Sequence, residues 1–253
     1  MVKGIDIFKK HFANQTNKFV LIGGTACDIA MGKADQVFRS TKDLDIVLII
    51  EALDEEFSTV FWDFIKAGNY KNKEKSTEKT IFYRFYDPEN KTYPYMIELF
   101  AKRPELLRED KSSKIMHVSI TNEITSLSAI LLDSEYYNFI LAHRILEDDI
   151  PIISPEGMIP LKAKAYLDLV ERKKTETSID SKDIKKHKND VFRMYNLLTL
   201  ETRVTLPKNI SDDMKVFIEN MRIDTPDLKN IEVNNTLEFV LNNIKLIYNL
   251  KSE

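Results

Sequence analysis

Apolar residues follow two regimes along the chain. Up to Phe100 they form short runs broken by turn residues, and beyond Pro151 they recur at intervals of three and four. In the first regime, Ile5, Phe8 and Phe12 share one side of residues 3–14, which predicts a short amphipathic helix. Phe19-Val20-Leu21-Ile22 runs into Gly23-Gly24, a buried strand entering a tight turn, after which Thr25 is expected to cap a helix over 26–31. Residues 43–50, D-L-D-I-V-L-I-I, predict a second strand, polar at its start and apolar afterwards. A helix over 53–67 should end at Gly68. Strands are expected over 80–86 and 93–100, joined through Asp87-Pro88-Glu89-Asn90, with further strands over 116–120 and 127–132.

The second regime opens with Ser154-Pro155-Glu156, a capping hydroxyl followed by proline and an acid in the first turn. Helical periodicity then covers 156–174, 182–198, 211–222 and 234–249, with a polar loop at 175–181. The expected architecture is α/β (α+β): a mixed twisted sheet flanked by helices over 1–150, followed by an all-helical domain over 151–253.

Composition narrows the function classes. At 253 residues, 43% hydrophobic and 30% charged, the chain has the makeup of a globular protein with a proper core. No apolar run reaches the roughly 18 residues of a membrane span, and the N-terminus has no signal-peptide core. A single cysteine, Cys27, excludes an internal disulfide, so a cytoplasmic location without membrane attachment is expected. The net charge of -3 argues against binding nucleic acid by charge alone and leaves a local basic patch as the way such a substrate would be held. The four histidines are scattered, without zinc-site spacing.

Candidate chemistry is concentrated in the first fifty residues. Asp43 and Asp45 are separated by one residue, so on a strand both carboxylates project from the same face. Two such carboxylates repel unless neutralised, and a hard divalent cation such as Mg²⁺ or Mn²⁺ takes oxygen ligands. Glu98, in M-I-E-L-F, is the best third acid for a metal site suited to in-line phosphoryl transfer. Gly23 and Gly24 allow close backbone approach, and the helix after them offers N–H groups to a phosphate. Thr25 adds a hydroxyl, and Arg39 and Lys42 add cations for further phosphate oxygens.

The order strand, Gly-Gly-Thr, helix, R-S-T-K-D-L-D-I-V-L resembles the DNA polymerase beta-type nucleotidyltransferase superfamily, and within it the abortive-infection AbiEii-type branch, which includes toxins of toxin–antitoxin pairs. Seventeen residues lie between Thr25 and Asp43, longer than in compact members of the superfamily. The resemblance implies a nucleotidyltransferase-type sheet in which Asp43, Asp45 and Glu98 bind metal and Gly23, Gly24 and Thr25 hold a nucleoside triphosphate. It also implies transfer of a nucleoside monophosphate to an acceptor hydroxyl, with pyrophosphate leaving in line.

In the helical half, L-K-A-K-A-Y-L-D-L-V resembles the branch's K-x-x-A helix, which implies Lys162 near the nucleotide. D-S-K-D-I-K-K-H-K-N-D-V resembles its R-D-L-x-D segment, with lysine at 186 where a second acid is expected; Asp183 is then the acid expected to orient Lys162 or a base. Lys185, Lys186, His187 and Lys188 form the best candidate surface for an RNA acceptor. An RNA or tRNA acceptor with an antitoxin protein as partner is one reading. A protein or small-molecule acceptor such as an antibiotic is a second, and a nucleotide-binding module without turnover a third.

Overall fold

A computed structural model describes residues 2–49, 54–72, 82–100 and 133–250. The chain divides into two compact units, one formed by 1–131 with 144–153 and the other by 132–143 with 154–253.

The first unit carries a mixed sheet. Its elements are α1 (Ile5–His11), β1 (Phe19–Ile22), α2 (Gly23–Lys33), β2 (Asp43–Leu48), α3 (Glu55–Gly68), β3 (Lys71–Asn72), β4 (Phe82–Tyr86), β5 (Met96–Phe100), β6 (Arg144–Glu147) and β7 (Ile150–Ile153). The strands lie in the order β3-β4-β5-β2-β1-β7-β6. β2 runs antiparallel to β1 and parallel to β5, and β7 runs parallel to β1. The apolar run 19–22 is buried throughout, as the interior of a sheet covered on both faces requires. Helices α1 and α3 bring Phe8, Phe12, Phe57, Phe61 and Phe64 together with Phe19 in one aromatic cluster. Ring pairs of this kind add to the area they bury.

The turn after β1 differs from the sequence expectation. The helix begins at Gly23 itself, with Ile22 at the N-cap position, rather than after a Thr25 cap. Gly23 takes φ +69 and makes the turn alone, leaving no linker residue for Thr25 to cap. Asp54 caps α3 by accepting from the Phe57 N–H at 2.9 Å, and Asn69, not Gly68, supplies the left-handed residue that ends it. The strand expected over 93–100 begins only at Met96, because Pro94 has no N–H for the ladder. Residues 80–81 and the strands expected over 116–120 and 127–132 lie outside the described residues. The β6–β7 hairpin carries no glycine signal; its two-residue turn is Asp148-Asp149, both with positive φ.

Among its described residues the second unit contains helices and no strand: α4 (Ser134–Ala142), α5 (Pro155–Lys173), α6 (Ser181–Tyr195), α7 (Lys208–Ile223) and α8 (Leu237–Ile247). Ser154, Asp180 and Thr236 accept from first-turn N–H groups of α5, α6 and α8. Tyr166, Phe192 and Phe217 meet in its core. The chain therefore pairs a mixed α/β sheet with an all-helical unit, the expected fold class.

Candidate functional site

The strand register assembles a polar row inside the first unit. β2 pairs with β5 so that Asp45 stands beside Glu98, and β5 pairs with β4 so that Glu98 stands beside Arg84. Register partners project from the same face, and Asp43 lies two residues before Asp45, so Asp43, Asp45, Glu98 and Arg84 share one face. Leu44 points to the other face and is fully buried. Asp45 and Glu98 are each only 7% exposed, a depth at which charge is costly unless compensated.

The glycine pair is built against this row. A Cβ on Gly23 would lie 1.8 Å from Asp45 Oδ2 and 2.7 Å from its Cγ. A Cβ on Gly24 would lie 2.5 Å from Thr41 Oγ1. Both positions therefore need glycine for space, and Gly23 needs it for its positive φ as well. Ile22 supplies no side-chain cap to α2, and the closeness of Gly23 to Asp45 sets the positive dipole end of that helix against the carboxylate. Thr25 is fully buried, and its hydroxyl donates to the Asp43 carbonyl oxygen at 2.6 Å, tying the helix to the start of β2. Its proton is spent on that contact, leaving the oxygen as an acceptor.

Glu98 is held by the protein. Arg84 Nε donates to Glu98 Oε1 at 2.7 Å, and Arg84 Nη2 approaches the same oxygen at 2.6 Å. The three carboxylates are hard oxygen donors of the kind Mg²⁺ and Mn²⁺ accept. Among the described residues, however, no three acids, histidines or cysteines gather into a group able to hold an ion. Glu98 shares the face of the two aspartates but is turned to Arg84.

The two basic residues before the acids stack on rings. The Arg39 guanidinium lies 4.8 Å from the Phe38 centroid, and Lys42 Nζ lies 5.9 Å from that of Tyr95, which is half exposed.

No protein-family model and no curated protein matches the chain. Among solved structures, it is similar to an antigenic nucleotidyltransferase-like protein from Paracoccidioides brasiliensis, with TM-score 0.44 and 13% identity over 91% of this chain and 93% of that one. It is also similar to the Megavirus polyadenylate synthase, with TM-score 0.43 and 15% identity over 86% of this chain and 36% of that one.

In the helical unit, Lys162 is 1% exposed and meets Asp190 Oδ2 at 3.2 Å, while Asp190 also meets Arg193 at 3.1 Å. The expected partner, Asp183, is exposed in the first turn of α6. Asp190 lies two helical turns further on, and it is the acid that Lys162 reaches. Lys164 meets Asp213 at 2.9 Å. The basic run 185–188 is not one surface: His187 and Lys188 are buried, and Lys188 bonds Asp224. Consecutive helical residues point about 100° apart, which leaves Lys185 and Lys186 as the outer part of that run.

Arg84, Asp190 and Thr41 were absent from the sequence-based site. Arg84 was signalled by a lone cation inside the aromatic strand F-Y-R-F-Y, and Asp190 by a polar residue set among the apolar positions of α6.

Proposed function

We propose that this chain is a metal-dependent nucleotidyltransferase, transferring a nucleoside monophosphate from a triphosphate to an acceptor hydroxyl. The observation that carries the reading is the contact between Gly23 and the Asp45 carboxylate. It packs a glycine turn and helix N-terminus directly against a same-face aspartate pair. A phosphate at the start of α2 and a cation on Asp43 and Asp45 would be neighbours, as phosphoryl transfer requires.

In this mechanism Asp43 and Asp45 would hold the divalent ion, Mg²⁺ or Mn²⁺, with Glu98 as a third carboxylate. When bound, the ion would supply charge neutralisation of the triphosphate and acidity to the acceptor hydroxyl. The chain's first-turn N–H groups at Gly23, Gly24 and Thr25 orient the phosphates, with Arg39 and Lys42 as further cations. The acceptor oxygen forms a bond to the α-phosphorus, the bond to the bridging oxygen breaks, pyrophosphate leaves, and the hydroxyl proton passes to solvent. Lys162 is assigned a supporting role fixed by Asp190, and Asp183 a place on the exposed start of α6. RNA is the acceptor we favour, with Lys185 and Lys186 as contacts; a growth-inhibiting role held in check by an antitoxin belongs to the same proposal.

A second reading, a nucleotide-binding module without turnover, draws support from the Arg84–Glu98 pair, which occupies the third carboxylate. One experiment separates the two. The protein and its Asp45→Asn variant are incubated with each α-labelled nucleoside triphosphate, Mg²⁺ and total RNA or cell lysate. Label entering RNA with wild type and not with the variant supports transfer to RNA, and label entering protein or a small molecule reassigns the acceptor. Nucleotide binding without any transfer, and unaffected by removing Mg²⁺, would sink the enzyme reading.

A further inference from the structure

Arg84 is an unusual neighbour for a carboxylate expected to meet a cation. It sits on β4, one strand beyond Glu98 and two beyond Asp45, in a continuous register row. Its Nε and Nη2 both converge on one oxygen, Oε1, which ties the carboxylate to β4. Glu98 is 7% exposed, so water cannot screen the pair effectively. The failure of three acids to gather among the described residues is what this pairing would produce.

We propose that Arg84 is a positioning residue that competes with the divalent ion for Glu98. The inference rests on the reading of Asp43 and Asp45 as ion ligands. In the resting state the row offers two aspartates and an Arg-neutralised glutamate. Glu98 joins the ion only when Arg84 lets go, so the exchange of one positive partner for another sets the ion concentration at which the site becomes complete. Arg84 holds Oε1 with two nitrogens, so an ion sharing that oxygen would meet the guanidinium's repulsion at close range in a buried setting.

The test is Mn²⁺ binding, followed by the electron paramagnetic resonance signal of free Mn²⁺, with no substrate present. Arg84→Met should tighten binding by about ten- to a hundredfold, the fold-change equivalent of releasing Glu98 from a hydrogen bond between charged groups. Adding Glu98→Gln to Arg84→Met should return the affinity to the wild-type level, whereas Glu98→Gln alone should change it little. A merely structural role for Arg84 would lower thermal stability in all backgrounds without this dependence on Glu98. If Arg84→Met does not fold, Arg84→Lys carries the test: one nitrogen replaces two at Oε1, and about threefold tighter binding is expected on the same reasoning. Unchanged or weaker binding in the Arg84 variant that folds overturns the proposal. A wild-type affinity insensitive to Asp45→Asn would overturn the aspartate-pair reading itself, a different and distinguishable failure.

Discussion

Gly23 leaves no room for a side chain against Asp45: a Cβ there would stand 1.8 Å from Oδ2. The residue that turns the chain from β1 into α2 is therefore also the residue that lets the buried carboxylate occupy its place. Backbone conformation and site geometry meet at one atom, and that makes the position a sensitive probe.

Gly23→Ala should disable the site more than the fold. A left-handed alanine costs about 1–2 kcal/mol, and the new methyl must also displace the Asp45 carboxylate. We expect a melting temperature lowered by several degrees and Mn²⁺ binding lost to below detection. Thermal melts paired with Mn²⁺ titration check both, and retained Mn²⁺ affinity would contradict the geometry.

Asp45→Asn should remove transfer activity by at least about a hundredfold, the scale of losing one electrostatic contact to a transition state. Stability in the absence of metal should change little, because relief of repulsion between the two carboxylates offsets the weakened contact with the positive end of α2. Single-turnover rates and urea midpoints with and without Mg²⁺ read the two effects separately.

The buried pair in the helical unit should respond asymmetrically. Asp190→Asn leaves Lys162 buried without its counter-charge, and breaking such a pair costs about 3–5 kcal/mol. Lys162→Met leaves Asp190 still paired with Arg193 and should cost clearly less. Equilibrium urea denaturation orders the two variants; equal losses would mean that Arg193 does not compensate.

Asp87 provides a check on surface electrostatics in the sheet unit. Its carboxyl is lowered from 3.8 to about 2, chiefly by hydrogen bonds from Lys71 and Lys91. A depressed folded-state value means that the contribution to stability is present above the unfolded value and is lost as pH falls from about 3.8 through about 2. Carbon-13 NMR titration should find this carboxyl ionised at pH 3 in the wild type. Replacing both lysines by alanine should move it back toward the ordinary value.

Local signals were readable wherever a residue acts through its own backbone or its period along the chain. Ser154-Pro155 opens α5 where the cap and proline place it, and the long helices follow the spacing of their apolar residues. Asp54 and Asn69 show the limit of this reading. Both ends of α3 shifted by a residue or two, because capping depends on dihedral angles that neighbouring residue types specify weakly. The Asp148-Asp149 turn was missed for the same reason: aspartate tolerates positive φ without advertising it as glycine does.

The sequence by itself determined the covalent spacing of the site: a glycine pair at the end of a buried strand, two aspartates on one face, and a long helix opened by Ser154-Pro155. The tertiary structure alone decided which distant residues meet. Sheet register put Arg84 beside Glu98 and Glu98 beside Asp45. Helix packing gave Lys162 to Asp190 rather than to Asp183. Periodicity tells which way a side chain points, but only strand pairing and helix docking tell what it points at.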